Sequence, residues 1–257
     1  GDYNYNNKME DIFEIYKVDT DNNLFKFDGN IRKISYDYFL FEKYDDDELN
    51  FSLAFEYNRL IFFTIFSDII GDDCIKIDGN KYCIKLPMWL FIQQKYLKIP
   101  EYVTNDVIIH TNNELKNKKI VCRVNYEELP DEQSATPFRQ IIKYYNHFRF
   151  RVYGMIIKYN SKIIDVELIY GGFYVKEFDE IYIRNHGKKI NDKTVYIPLN
   201  EIDDINNFSD NNLYSYNLQN TTIRVTTENN DKDISIYLIK YNKLLYYSNV
   251  IGLRYLM

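Results

Sequence analysis

The chain contains two similar stretches, FKFDGNIRKISYDYFLF at Phe25–Phe41 and IKIDGNKYCIKLPMWLF at Ile75–Phe91. Aligned without gaps at an offset of 50 residues (28 to 78), they share the turn sequence Asp-Gly-Asn that begins at Asp28 and at Asp78. Each stretch is predicted to form a strand, a tight turn, a second strand and a short helix, because Asp-Gly and Gly-Asn favour turns. Solenoids need three or more copies of a repeat, and only two are present. The duplication therefore predicts one pseudosymmetric closed sheet, a double-psi β-barrel.

Strand patterns dominate the sequence around this repeat. Runs rich in aromatic and β-branched residues alternate with short polar breaks, which is typical of β-hairpins. Three hairpins are predicted in this way: Phe51–Tyr57 with Leu60–Phe66, Cys74–Asp78 with Lys81–Leu86, and Val107–Thr111 with Lys119–Val124. A weaker echo between MIIKYNSKII at Met155–Ile164 and YLIKYNKLL at Tyr237–Leu245 indicates two further hairpins, although chance similarity explains it equally well.

Helix signals are few. Pro137–Phe148 is predicted as a helix with Thr136 as its N-cap, because proline is tolerated in the first turn. Its apolar residues recur at helical spacing, which indicates a buried stripe rather than a cofactor site. A second helix is predicted from Pro87 to about Leu97.

The acidic, proline-containing stretch Asn125–Ser134 has no apolar periodicity, and it is the predicted domain boundary. The sequence thus predicts a mainly β chain with a few helices. Residues 1–125 are predicted to form the double-psi β-barrel domain. Residues 126–257 are predicted to form a small α/β subdomain with an additional β-rich C-terminal segment.

Composition excludes several classes of protein. The 257 residues are 46% hydrophobic and 17% aromatic, which is too apolar for a disordered chain. The net charge of −6 comes from both signs mixed along the chain, so we expect no nucleic-acid partner. The longest apolar run, Leu60–Phe66, is too short to cross a bilayer, so no membrane insertion is expected. The three cysteines form no CxxC pair, which favours a reducing compartment.

No catalytic, cofactor-binding or metal-binding motif stands out. His110, His147 and His186 stand alone without the spacing of a zinc site, and Cys122 lies in an apolar strand pattern that indicates an inert thiol. Asp28 and Asp78 could form the symmetric pair of a hydrolase. Aspartic proteases, however, carry a hydroxyl residue after the aspartate, and both positions here favour a structural turn.

The stretch Lys81–Leu97, KYCIKLPMWLFIQQKYL, resembles the strand–Leu-Pro-x-Trp–helix segment of the ubiquitin fusion degradation protein one family. The likeness rests on Leu86, Pro87 and Trp89, and on the order of the elements around them. Downstream, the predicted helix followed by Val152–Ile169 is similar to that family's helix, hairpin and return strand. Together the similar segments run from about Lys8 to Tyr170.

The resemblance implies a double-psi barrel followed by an α/β subdomain, with Leu86, Pro87 and Trp89 packing the barrel. It also implies a non-enzymatic adaptor without a cofactor. Such an adaptor binds ubiquitin or a ubiquitin-like modifier and, with the family's nuclear-protein-localisation partner, delivers substrates to a valosin-containing AAA ATPase for degradation or membrane extraction. No ubiquitin-contacting residue can be assigned. The implied location is the cytoplasm, including the ER surface. The alternatives are a plastid protein-import variant at the periphery of a complex plastid, and the Asp28/Asp78 hydrolase.

Overall fold

The computed structural model of the chain describes residues 14–19, 30–44, 49–57, 60–70, 74–100, 107–111, 115–128, 135–145, 152–201, 205, 221–247 and 250–255. These residues are mainly β, with eighteen strands and three short α-helices, so the mainly β prediction is confirmed. The chain divides into two compact units. Unit 1 comprises Gly1–Arg139 and Asn242–Leu256, and unit 2 comprises Gln140–Tyr241.

Two β-sheets form unit 1. Their strands are β1 (Glu14–Asp19), β2 (Asn30–Glu42), β3 (Ser52–Tyr57), β4 (Leu60–Phe66), β5 (Cys74–Asp78), β6 (Lys81–Lys85), β7 (Leu97–Pro100), β8 (Ile108–Thr111) and β9 (Lys116–Glu128). The larger sheet has the order β1-β9-β2-β6-β5, with β7 paired to β2, and the smaller sheet has the order β4-β3-β8. Helix α1 (Ser67–Ile70) follows β4, and α2 (Met88–Phe91) follows β6.

Aromatic rings fill the space between the two sheets of unit 1. Tyr36 on β2 meets Phe55 on β3 edge to face, with 5.1 Å between ring centroids. Phe63 on β4 stacks on Phe55 at 4.5 Å and on Phe91 of α2 at 5.3 Å. All four side chains are buried. Because these contacts join strands of different sheets, unit 1 is a β-sandwich.

Unit 2 is a second sandwich. Its elements are β10 (Ala135–Lys143), β11 (Gly154–Lys158), β12 (Ile163–Tyr170), β13 (Phe173–Asp179), α3 (Glu180–His186), β14 (Lys188–Asn191), β15 (Thr194–Pro198), β16 (Thr221–Thr227) and β17 (Ser235–Tyr247). The larger sheet has the order β10-β17-β11-β15-β14, and the smaller sheet has the order β13-β12-β16. The boundary between the units falls within β10 and β17, so that Asn242–Tyr247 of β17 pairs with β18 (Val250–Tyr255) in unit 1.

The core cluster of unit 2 is mainly aliphatic. It draws on both sheets, with Met155 of β11 and Ile197 of β15 from the larger one, and Val166 of β12 and Phe178 of β13 from the smaller. The turn between β11 and β12 is fixed by Asp231. Its carboxylate accepts hydrogen bonds from the backbone N–H groups of residues 160 and 161 at 3.1 and 2.6 Å, which lowers its pKa.

The two units repeat one plan. In each unit, the larger sheet places equivalent strands in the same spatial order: β1-β9-β2-β6-β5 in unit 1 corresponds to β10-β17-β11-β15-β14 in unit 2. The smaller sheet of each unit consists of a hairpin and one later strand. The starts of β4 and β13 (60 and 173), of α1 and α3 (67 and 180) and of β8 and β16 (108 and 221) are all separated by 113 residues. One backbone contact also recurs, because Leu86 N–H donates to Asp37 O at 2.9 Å and Leu199 N–H donates to Tyr153 O at 3.2 Å.

This repeat replaces the predicted one. The residues from Asn30 to Phe41 lie within the single strand β2, whereas those from Lys81 to Phe91 run through β6 and into α2. The two stretches aligned at an offset of 50 residues therefore occupy different surroundings. The double-psi barrel built on them is not found, since the described strands form four open sheets. In the described part of residues 126–257, α3 is the one α-helix, so that part is β rather than α/β.

The helix predicted at Pro137–Phe148 is wrong over its described part, because Ala135–Lys143 is the strand β10. Pro137 is tolerated there since β10 lies at the end of its sheet, where a missing N–H costs least. The β-branched pair Ile141 and Ile142 favours a strand, and residues 146–148 lie outside the described part of the chain. The helix predicted after Pro87 is confirmed only for Met88–Phe91.

Two of the predicted hairpins are confirmed, β3–β4 and β5–β6, and Gly79 of the second turn has a φ of +52°. The hairpin predicted between Val107–Thr111 and Lys119–Val124 is wrong, because β8 pairs with β3 and β9 pairs with β2. The weaker echo is wrong too. β11 and β12 belong to different sheets, and Tyr237–Leu245 lies inside β17.

Candidate functional site

Only one member of the predicted aspartate pair lies in the described part of the chain. Asp78 is exposed at the end of β5, and Asp28 lies outside the described part of the chain. Leu86 and Pro87 are buried and Trp89 is half-buried, so they pack unit 1, although the predicted barrel is absent.

The described histidines each contact a side chain near them. His110 on β8 pairs with Glu56 on β3, with 2.6 Å between Nε2 and Oε2, and the ring of His186 lies 4.8 Å from that of Tyr182. His147 lies outside the described residues. Cys122 is buried, Cys83 is half-buried with its pKa raised by burial, and neither forms a disulfide.

Two features are absent from the part of the chain that the structure describes. No group of three His, Cys, Asp or Glu side chains is arranged to hold a metal ion. No helix among the described residues has the length and apolar character needed to cross a membrane.

A cluster of charged side chains lies on the smaller sheet of unit 2. Asp165 and Glu167 of β12 point to the same side, because they are two residues apart on one strand. Glu177 of β13 lies directly opposite Glu167 in the sheet register. On the other neighbour, β16, Arg224 donates from its guanidinium to Glu167 Oε2 at 2.5 Å. Asp165, Glu167 and Glu177 are called the acidic face below.

Asp165 is the unusual member of the acidic face. Partial burial, followed by hydrogen bonding to Glu167 and Glu177, raises its pKa to about 7. Its Oδ1 is shielded from solvent and finds no hydrogen-bond donor among the described residues. Protonation of Asp165 relieves the repulsion between these carboxyl groups. It removes one negative charge, and the resulting hydroxyl donates a hydrogen bond to a neighbouring carboxylate. The pKa of Glu167 is instead lowered, chiefly by Arg224 and then by the hydrogen bond from Asp165.

We expect unit 2 to lose stability as pH rises from about 4 to about 7. The pKa of Asp165 is higher in the folded chain than its ordinary value of 3.8, so protonation favours the folded state and this contribution disappears as the folded carboxyl ionises. After allowance for solvent screening the loss is of the order of 1 kcal/mol. It can be measured from urea unfolding midpoints at a series of pH values.

The variant Asp165→Asn should flatten this dependence, because an amide donates to the same carboxylates without ionising. The matched control is Asp233→Asn at an exposed position, which should retain it. Glu167 contributes in a different pH range. Its pKa is lowered in the folded chain, so its ionised form stabilises the fold above its ordinary pKa of 4.5, and this contribution is lost on acidification. An unchanged slope in Asp165→Asn would refute the assignment.

The connection between β12 and β13 presents two aromatic side chains to solvent. Tyr170 is 50% exposed and Phe173 is 79% exposed. Gly171 and Gly172 between them have φ of +57° and +80°, the left-handed values that a type I′ turn needs at both central positions. The segment Tyr170–Phe173 is called the aromatic tip below.

A second feature of unit 2 combines a shallow cavity with positive charge. The cavity measures about 310 Å³ and is lined by Asn185, His186, Gly187, Lys188, Tyr196, Glu201 and Ile205. The adjoining sequence Arg184–Lys189, RNHGKK, carries three exposed cations and one histidine. It is called the basic segment below.

Sequence reasoning missed both features of the smaller sheet. The aromatic tip could have been found, because Gly-Gly between two strand-like runs is a strong hairpin signal. The acidic face could not, because its members are neighbours only through the register of three strands that are distant in sequence.

No protein-family model and no curated protein matches the chain. Among solved structures, it is similar to the crystal structure of PBCV-1 VP54 fitted into a cryo-electron-microscopy reconstruction of the virophage Sputnik. That likeness has a TM-score of 0.53 at 8% identity over 89% of each chain. It is also similar to a chain of the quasi-atomic model of the PBCV-1 virus capsid, with a TM-score of 0.50 at 9% identity, again over 89% of each chain.

The likeness corrects the functional prediction. The adaptor function depended on a barrel followed by an α/β subdomain, whereas this chain forms two sandwiches and is similar in fold to viral capsid chains over 89% of its length. The predicted partners, ubiquitin or a ubiquitin-like modifier, the nuclear-protein-localisation partner and the valosin-containing AAA ATPase, are therefore wrong for this protein. The plastid-import and double-psi hydrolase alternatives are wrong as well, because both depended on the same predicted barrel.

Proposed function

We propose that this protein is a structural subunit of a viral capsid-type shell, which acts by associating with further copies of itself and not by catalysis. The observation that supports the proposal best is the likeness to PBCV-1 capsid chains over 89% of the sequence, shared by both sandwich units. Jelly-roll sandwiches are a common architecture of viral capsid proteins, and the repeated strand order of the two units is compatible with it.

The test is the association state of the full chain. Light scattering coupled to size exclusion, over a concentration series and at low and high salt, should give oligomers of defined stoichiometry. Negative-stain electron microscopy of the same samples should show regular particles or lattices. A chain that stays monomeric from micromolar to near-millimolar concentration, or that forms only amorphous aggregate, would contradict the proposal.

A further inference from the structure

We infer that the aromatic tip of one copy docks into the cavity beside the basic segment of a second copy. The inference rests on the proposed function, because it names the surfaces by which copies associate. Its central residue is Phe173, whose side chain is 79% exposed on a hairpin end.

The aromatic tip has the properties of a preformed contact. The stretch Leu168–Val175, LIYGGFYV, carries no charge, so burying its end removes no ionised group from water. The type I′ turn and the β12–β13 register fix the positions of Tyr170 and Phe173, so little backbone freedom is lost on docking. The corresponding β3–β4 connection of unit 1 has the polar pair Asn58-Arg59 instead.

The cavity can receive an aromatic ring. Its volume of about 310 Å³ lies at the lower end of the range for ligand pockets, roughly 300–1,000 Å³. Tyr196 and Ile205, which are 3% and 1% exposed, form its apolar floor, and Asn185, Lys188 and Glu201 supply polar groups at its opening. An apolar ring bordered by polar contacts is the arrangement found at the centre of protein interfaces.

Charge complementarity favours a second copy as the occupant. Glu167 lies three residues from Tyr170 on β12, and Glu177 lies four from Phe173 on β13. At about 3.3 Å per residue the acidic face is therefore roughly 10–13 Å behind the tip. The basic segment borders the cavity directly through Lys188. Arg224 offsets the charge of Glu167, and the raised pKa of Asp165 leaves that carboxyl partly protonated, so Glu177 carries most of the net charge of the acidic face. Docking the tip brings this negative charge of one copy toward the cations of the next, which is attractive at low salt.

The same charges argue against a lipid surface as the partner. Cellular membranes expose anionic headgroups, which would repel the acidic face behind the tip. The tip and the cavity are also different patches of unit 2, so the contact between copies is heterologous and leaves a free tip and a free cavity at its ends. Such a contact propagates from copy to copy, into a ring where the rotation closes and into an open array where it does not.

The first experiment compares Phe173→Ser with Tyr145→Ser in the full chain. Tyr145 is matched to Phe173 as an aromatic residue of unit 2 that is 76% exposed. Phe173→Ser should weaken self-association about 30-fold, as for a side chain that dominates an interface, whereas Tyr145→Ser should leave it unchanged. Both variants should keep the urea midpoint of the parent chain.

The second experiment identifies the partner surface. A photo-crosslinking phenylalanine analogue at position 173 should label the peptide that contains residues 185–205. Mixing isotopically heavy and light chains should show that the link joins two copies. Labelling confined to other peptides, or flotation of the parent chain with anionic or zwitterionic vesicles through Phe173, would overturn the inference.

The outcomes separate the inference from the proposed function. If the parent chain assembles and Phe173→Ser assembles equally well, the inference is wrong and the proposed function stands. If the parent chain remains monomeric, both fail. Salt gives an independent readout, because Lys188→Glu should weaken association more at low than at high ionic strength.

Discussion

Replacing Phe63 with alanine should lower the free energy of unfolding of unit 1 by about 3–5 kcal/mol. Phe63 is fully buried on β4, where it stacks on Phe55 and Phe91 and meets Phe62 edge to face at 4.8 Å. Truncation removes the ring from all three contacts. The rigid aromatic neighbours cannot collapse into the space, which places the cost at the upper end of this range.

The measurement can be made specific to unit 1. Trp89 is the only tryptophan of the chain and lies in α2, two residues before Phe91, so its fluorescence reports the unfolding of unit 1. Urea titration followed at Trp89 should show the loss for Phe63→Ala. Tyr44→Ala is the matched control, because an aromatic side chain of unit 1 is removed from a position that is 57% exposed, and its midpoint should not move. Equal midpoints for Phe63→Ala and the parent chain would contradict the packing described for β4.

Replacing Gly154 with alanine should destabilise unit 2 by about 1–3 kcal/mol, the usual cost of overpacking. A Cβ at Gly154 would lie 2.6 Å from Cε2 of the Tyr196 ring, closer than carbon atoms approach. Tyr196 is 3% exposed and sits opposite β11 on β15, so its ring cannot move away without disturbing the core. The strain must therefore be taken up by the β11–β15 pair.

A double-mutant cycle isolates this clash. In a Tyr196→Ala background the added methyl group meets open space, so Gly154→Ala should then cost much less than in the parent chain. Hydrogen exchange of the β11 and β15 amides measures the effect within unit 2. If Gly154→Ala costs the same in both backgrounds, the ring of Tyr196 is not its cause.

Local turn chemistry explains which parts of the fold could be predicted from the sequence. The hairpins at Asn58-Arg59 and at Gly79-Asn80 are defined by residues that adjoin each other, and both were predicted correctly. The antiparallel pairing of β2 with β9 joins residues about 90 positions apart, and nothing in either strand specifies the other. Long-range pairing of this kind depends on the global fold, so sequence reasoning did not find it.

The repeat was misread for a related reason. Asp-Gly-Asn recurs at Asp28 and Asp78 because it suits turns in general, not because the surrounding stretches share a fold. The true duplication leaves little trace in sequence. Across the hairpins β5–β6 and β14–β15, Ile84 and Ile197 are identical and buried, as are Leu86 and Leu199, but isoleucine and leucine recur in any apolar strand. The helix predicted at Pro137–Phe148 failed because the pairing of β10 with β17 decides the structure of this segment, and the spacing of its apolar residues does not reveal that pairing.

The segment Asn242–Leu256 returns to unit 1 after the chain has passed through the whole of unit 2. On a ribosome, Gln140–Tyr241 is therefore synthesised in full while unit 1 still lacks the pairing of β18 with the end of β17. Unit 2 can therefore complete its core first, whereas unit 1 is complete only when the last residues of this segment have been synthesised. Translation order thus makes unit 2 the earlier of the two to be complete, although it lies later in the chain.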